Sequence, residues 1–94
     1  MKILLEREIE SYLNENVKKR GGRAYKFVSP GNRGVPDRMI LLPGGRIIFV
    51  ELKTKDRYPT KLQRVQIKRM RDLGADVRVI RGMDAVKDFL DELA

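Results

Sequence analysis

Residues 34–53 read Gly-Val-Pro-Asp-Arg-Met-Ile-Leu-Leu-Pro-Gly-Gly-Arg-Ile-Ile-Phe-Val-Glu-Leu-Lys. Two apolar runs flank Pro43-Gly44-Gly45, which is the signature of a β-hairpin, with strands expected at about 37–42 and 46–53. Asp37 opens the first run, and Glu51 and Lys53 close the second. Folding back at the two glycines brings Asp37 opposite the Glu51–Lys53 end. Side chains two apart on a strand share a face, so Glu51 and Lys53 point the same way. Two carboxylates and an ammonium thus meet at one end of an otherwise apolar hairpin. Packing alone gives no reason to collect charge there, because unpaired charge is costly to bury. A divalent cation between the carboxylates, with the lysine beside it, offsets that cost.

The rest of the chain supplies the frame. The 94 residues suffice for one domain, 1–94, and 41% apolar content supports a modest core. A core of this size gains from dimerisation. The absence of Cys and His removes disulfides, zinc sites built on those residues, Ser-His-Asp triads and imidazole acid–base chemistry. Carboxylates, Lys, Tyr and metal-held water remain as the chemical repertoire. No apolar run approaches the length that spans a bilayer, so no membrane partner is expected and the chain reads as a cytoplasmic protein. Lys and Arg number 21 against 13 acids, a net charge of +8, which suits a nucleic acid.

Upstream of the hairpin, residues 3 to about 19 carry Leu5, Ile9, Tyr12, Leu13 and Val17 at helical spacing. Glu6 falls inside that apolar arc and Glu10 at its edge. Residues 23–28 read as a short strand, followed by a polar loop over 29–34. Ile47 to Val50 is apolar on both faces, which places the second hairpin strand centrally in a sheet. Thr60 starts a second helix that Gly74 stops. Its apolar arc is Leu62, Val65, Ile67, Met70 and Leu73, with Gln63 and Gln66 inside it, and Lys61, Arg64, Lys68 and Arg71 form a basic stripe opposite. Residues 76–80 read as a strand, and 84–93 as a helix with Val86, Phe89, Leu90 and Leu93 inward. The expected order is α-β-β-β-α-β-α.

This pattern resembles the PD-(D/E)xK nuclease superfamily, through Pro36-Asp37, a gap, and Glu51-Leu52-Lys53 on two hairpin strands within an αβββαβ order. More finely it is similar to the VRR-NUC family, the virus-type replication-repair nucleases. The similarity extends over Glu6, Ser29-Pro30-Gly31, Gly34 to Arg38, Phe49 to Lys53, and Leu62-Gln63 followed by Gly74, which is nearly the whole chain. The resemblance implies an α/β fold, with a mixed central sheet flanked by helices and an added C-terminal helix. It implies that Asp37 and Glu51 hold Mg²⁺ or Mn²⁺ with the Leu52 carbonyl, that Glu6 completes the acidic cluster, and that Lys53 orients the attacking water. Gln63 matches the family's helix glutamine beside that lysine. Ser29, Arg33, Arg38 and Lys55 are the candidate nucleic-acid contacts. Stand-alone relatives are phage or bacterial, which implies a homodimer that cuts branched DNA such as four-way junctions.

Each residue also has a plainer reading. Thr60-x-x-Gln63 is a capping box, in which the glutamine reaches back to the Thr60 amide. Gln66 competes with Gln63 for the site role, and Glu10 with Glu6. Lys53 could guard a strand edge, and the basic stripe could be a solvated face. The rival functions are a non-catalytic DNA- or RNA-binding module and an accessory subunit of a replication-repair complex. A binder, however, gains nothing from aiming carboxylates at phosphates. For a dimer surface, the last helix is the expectation, because it is the least basic.

Overall fold

A computed structural model describes residues 4–93. Three helices and four strands follow in the order α1 (Glu6–Lys19), β1 (Arg23–Lys26), β2 (Arg38–Leu42), β3 (Arg46–Lys53), α2 (Lys61–Asp72), β4 (Val77–Arg81) and α3 (Gly82–Glu92). The α/β architecture and its order agree with the sequence reading. The expected helix start at residue 3 lies outside the described residues. Between β2 and β3, Pro43–Gly45 makes one tight turn. Gly44 and Gly45 both take positive φ, 84° and 82°, which side chains resist and glycine accepts.

The sheet order is β1-β2-β3-β4. The first three strands are antiparallel and β4 runs parallel to β3, so the sheet is mixed. β3 is central, as its two apolar faces require, although Ile47 near its start is exposed. Strand β1 ends at Lys26, two residues earlier than expected. The Phe27 amide still donates to the Asp37 carbonyl at 2.9 Å, and Pro36, next along, has no amide hydrogen with which to continue the ladder. Ile9, Leu13 and Val17 of α1 pack with Ile40, Ile48, Val50 and Leu52 of the sheet and with Val86, Phe89 and Leu90 of α3. Each fully buried aliphatic side chain there contributes about 1.5–3 kcal/mol by leaving water.

Two helices differ from the periodicity reading. In α2 only Gln66 and Ile67 are buried, whereas Leu62 and Val65 are 48% and 44% exposed and Leu73, just past its end, is 84% exposed. The helix is rotated so that its glutamines face the sheet. Polar contacts made by Gln63 and Gln66, described below, set this rotation and outweigh the apolar arc. In α1, Glu6 is exposed rather than buried, because it occupies the first turn and overhangs the sheet end, one turn ahead of Ile9.

Candidate active site

The hairpin register runs from Leu42↔Arg46 to Arg38↔Val50. Continuing it by one residue sets Asp37 beside Glu51. Buried Pro36 fixes the chain just before this point. The Leu52 amide donates to Asp37 Oδ1 at 3.3 Å, which ties the two strand ends together. Glu51 is 3% exposed, an unusual place for a carboxylate. Its Oε2 lies 3.2 Å from Lys53 Nζ and accepts from Gln63 Nε2 at 3.1 Å. Its Oε1 is buried without a hydrogen-bond partner.

Both carboxyls are held above the ordinary carboxylate range. For Asp37 the main cause is burial, opposed by the Leu52 amide and the Arg38 charge and reinforced by the charge of Glu6. For Glu51 burial again leads, followed by the charge of Asp37, with Lys53 opposing both. A half-buried and a buried carboxylate that repel each other, the second with an orphaned oxygen, are the donor set a hard divalent cation takes. A hard divalent cation therefore fits Asp37 and Glu51. Among the described residues no group of three or more carboxylates converges as ligands, so main-chain and water oxygens would complete a shell of about six.

The two glutamines have separate tasks. Gln63 makes two contacts: its Oε1 accepts from the Thr60 amide at 2.9 Å while its Nε2 donates to Glu51. The Thr60 hydroxyl completes the box by accepting from the Gln63 amide. Gln66 instead donates to the Arg33 carbonyl at 3.1 Å and holds the loop that leads into Asp37. The two acids of α1 also divide. Glu6 lines an open pocket with Lys53, Thr54 and Arg57 at the mouth of the site. Glu10 forms an ion pair with Arg38.

Arg38, expected at the nucleic-acid surface, has only 12% of its side chain exposed and also donates to the Asp37 carbonyl. It braces the site from within. Ser29 accepts from the Asn32 side chain at 2.9 Å inside its own loop, and Arg33 and Lys55 are exposed. Thr54 and Arg57 line the mouth without having been expected there. Their only sequence signal is their place just after Lys53 in a charged loop.

No family model matches the chain. Individual proteins do. The chain is 49% identical over 84 residues to "Putative nuclease p44" of Acyrthosiphon pisum secondary endosymbiont phage 1, covering 89% of this chain and 90% of that protein. It superposes on a solved "VRR_NUC domain" with a TM-score of 0.86 at 31% identity, covering 92% of this chain and 94% of the other. A second solved structure, a "VRR_NUC domain protein", shares the fold with a TM-score of 0.78 at 21% identity, over 99% of this chain and 90% of the other. With the αβββαβ core and the Asp37–Glu51–Lys53 end of the hairpin in place, the chain belongs to the VRR-NUC family of nuclease domains.

Proposed function

We propose that this protein is a metal-dependent endodeoxyribonuclease that hydrolyses phosphodiester bonds in branched DNA, four-way junctions included. The observation that carries the reading is the buried Glu51 carboxylate beside Asp37, with one oxygen unpartnered and Lys53 at 3.2 Å from the other. Asp37, Glu51 and the Leu52 carbonyl would hold Mg²⁺ or Mn²⁺, and Glu6 would reach it through water. When bound, that cation supplies charge neutralisation at the phosphate and makes water more acidic.

The chain's own groups do the remaining work. The Lys53 ammonium, steadied by Glu51, orients the attacking water and meets a non-bridging phosphate oxygen. Gln63 fixes the Glu51 carboxylate from the opposite side. The water gives up a proton to solvent as its oxygen bonds to phosphorus and the bond to the leaving oxygen breaks, and the leaving oxygen takes up a proton from solvent. The basic surface, including Arg33 and Lys55, supports DNA binding through phosphate contacts.

The same proposal includes a homodimer, because resolving a four-way junction takes two symmetrically placed cuts and a twofold dimer matches that symmetry. The apolar residues of α3 are spent on the core, whereas Leu62 and Val65 of α2 and Leu73 just after it stay exposed. These favour α2 over α3 as the pairing surface. The homologous phage protein fits action in the cytoplasm of a bacterial or phage-infected cell. A cleavage assay on linear, flap and four-way DNA with Mg²⁺ or Mn²⁺ is the test. Cutting of branched substrates that stops with EDTA supports the reading. Binding without cutting in either metal would leave a binding module instead.

A further inference from the structure

On the α2 side of the sheet, an open groove of about 510 Å³ lies between α2 and β4. Arg64 and Lys68 of α2 and Arg81 of β4 line it, Ile67 and Val79 form its apolar floor, and Tyr58 stands as its wall. Tyr58 is 69% exposed, and the Arg81 guanidinium lies 3.8 Å from its ring centroid. That contact covers part of the ring and steadies it, while much of the ring stays open. A steadied, exposed aromatic ring in a cationic groove is a stacking platform for a nucleobase.

The groove adjoins the catalytic end of the hairpin. Lys53 and Arg81 are register partners on β3 and β4, and neighbouring strands lie about 4.8 Å apart. The loop from Thr54 to Pro59 divides the two regions, with Arg57 lining the active-site mouth and Tyr58 lining the groove. Gly82 seats this loop. It takes φ of 85°, and a side chain there would bring its Cβ within 3.1 Å of the Lys55 Cβ. The loop thus has a fixed support against the start of α3.

The groove's charges are not all spent. Lys68 pairs with Asp72 at 2.7 Å. Arg64 donates one nitrogen to the Pro59 carbonyl, which leaves the rest of its guanidinium for a phosphate. A base inside a stacked duplex shows no face to a side chain, so Tyr58 is useful only to a nucleotide that has left the stack. At a branch the stack is interrupted, and such nucleotides become available. We propose that this groove seats one unpaired nucleotide of the DNA next to the scissile phosphate, its base on Tyr58 and its phosphate on Arg64 and Arg81. The proposal rests on the nuclease reading and narrows its substrate class.

The experiment is anisotropy of the full chain with labelled DNA in EDTA, so that binding is read without cleavage. The probes are a flap whose branch point carries unpaired nucleotides and a linear duplex of equal length. Tyr58→Ala is expected to weaken flap binding about tenfold, the order of one lost base stack, and to leave duplex binding unchanged. Tyr58→Trp should restore it, and 2-aminopurine at the branch should be quenched by the native chain but not by Tyr58→Ala. Equal loss on both probes, or no loss on the flap, overturns the groove. Because no cutting is involved, a selective Tyr58 effect in a chain that never cleaves DNA would sink the nuclease reading and leave the groove standing.

Discussion

Gln63 Nε2 lies 3.1 Å from Glu51 Oε2 while the other end of the same amide accepts from the backbone of Thr60 at 2.9 Å. One side chain thereby locks the start of α2 to the carboxylate of the site. Gln63→Ala should lose both contacts, lowering stability by about 0.5–2 kcal/mol and cleavage by a larger factor. Gln63→Glu separates them: it keeps a capping box but sets a carboxylate against Glu51. The expected result is a retained helix cap, melting lowered by the new repulsion at Glu51, and lost cleavage. Native cutting by Gln63→Glu would show that the glutamine serves the helix alone.

Asp37→Asn removes the half-buried partner of two mutually repelling carboxylates while keeping an acceptor for the Leu52 amide. The metal-free protein should therefore melt at the same temperature or higher, and Mn²⁺ affinity and cleavage should collapse. Calorimetry with Mn²⁺ decides this. Undiminished Mn²⁺ binding would remove Asp37 from the ligand set.

The raised carboxyls predict a pH dependence. Unfolded Asp and Glu titrate near about 4, whereas folded Asp37 and Glu51 keep their protons to higher pH. The folded state then binds more protons, so the stability these groups contribute is present below the unfolded value. It is lost as pH rises through the raised values. Mg²⁺ binds the ionised pair, so it should raise the melting temperature more at about pH 8 than at about pH 5. Melting curves with Mg²⁺ and with EDTA test this, and the difference should vanish in Asp37→Asn.

Lys53→Ala should bind DNA nearly as well as the native chain and lose about a hundredfold or more in single-turnover rate, because its ammonium sits against Glu51 and the mouth. A lost surface charge would do the reverse, weakening affinity and sparing the rate. A normal rate at saturating enzyme would make Lys53 a phosphate contact only.

Val65→Asp tests the pairing surface. Val65 is 44% exposed, so the monomer should fold normally, while a dimer built on α2 should dissociate. Light scattering at micromolar concentration reads the outcome. A dimer that survives would return attention to α3.

Much of this was legible because the hairpin states itself twice, once in its apolar runs and once in Gly44-Gly45, and both statements place Asp37 by Glu51. Ile9, Leu13 and Val17 likewise follow the helical period into the core. The period misled at α2, where contacts to Arg33 and Glu51, far away in sequence, turn the helix. No window of local residues contains those partners. Glu6 misled for another reason: an angular position on a helix does not say where the sheet beneath it stops. Arg38 reads as a phosphate contact until Glu10 is brought across from α1.

The tethering of α2 has a consequence for motion. With only Gln66 and Ile67 buried, this helix owes its place largely to carboxamide contacts rather than to packing, whereas α1 and β3 lie in the core. Its amides should exchange with solvent sooner than theirs, by opening of a local unit that leaves the rest folded. Each such opening releases Glu51 from Gln63 and the Arg33 loop from Gln66. A cation that steadies Glu51 should then slow exchange along a helix it never touches, and the order of that helix becomes a readout of the site's occupancy.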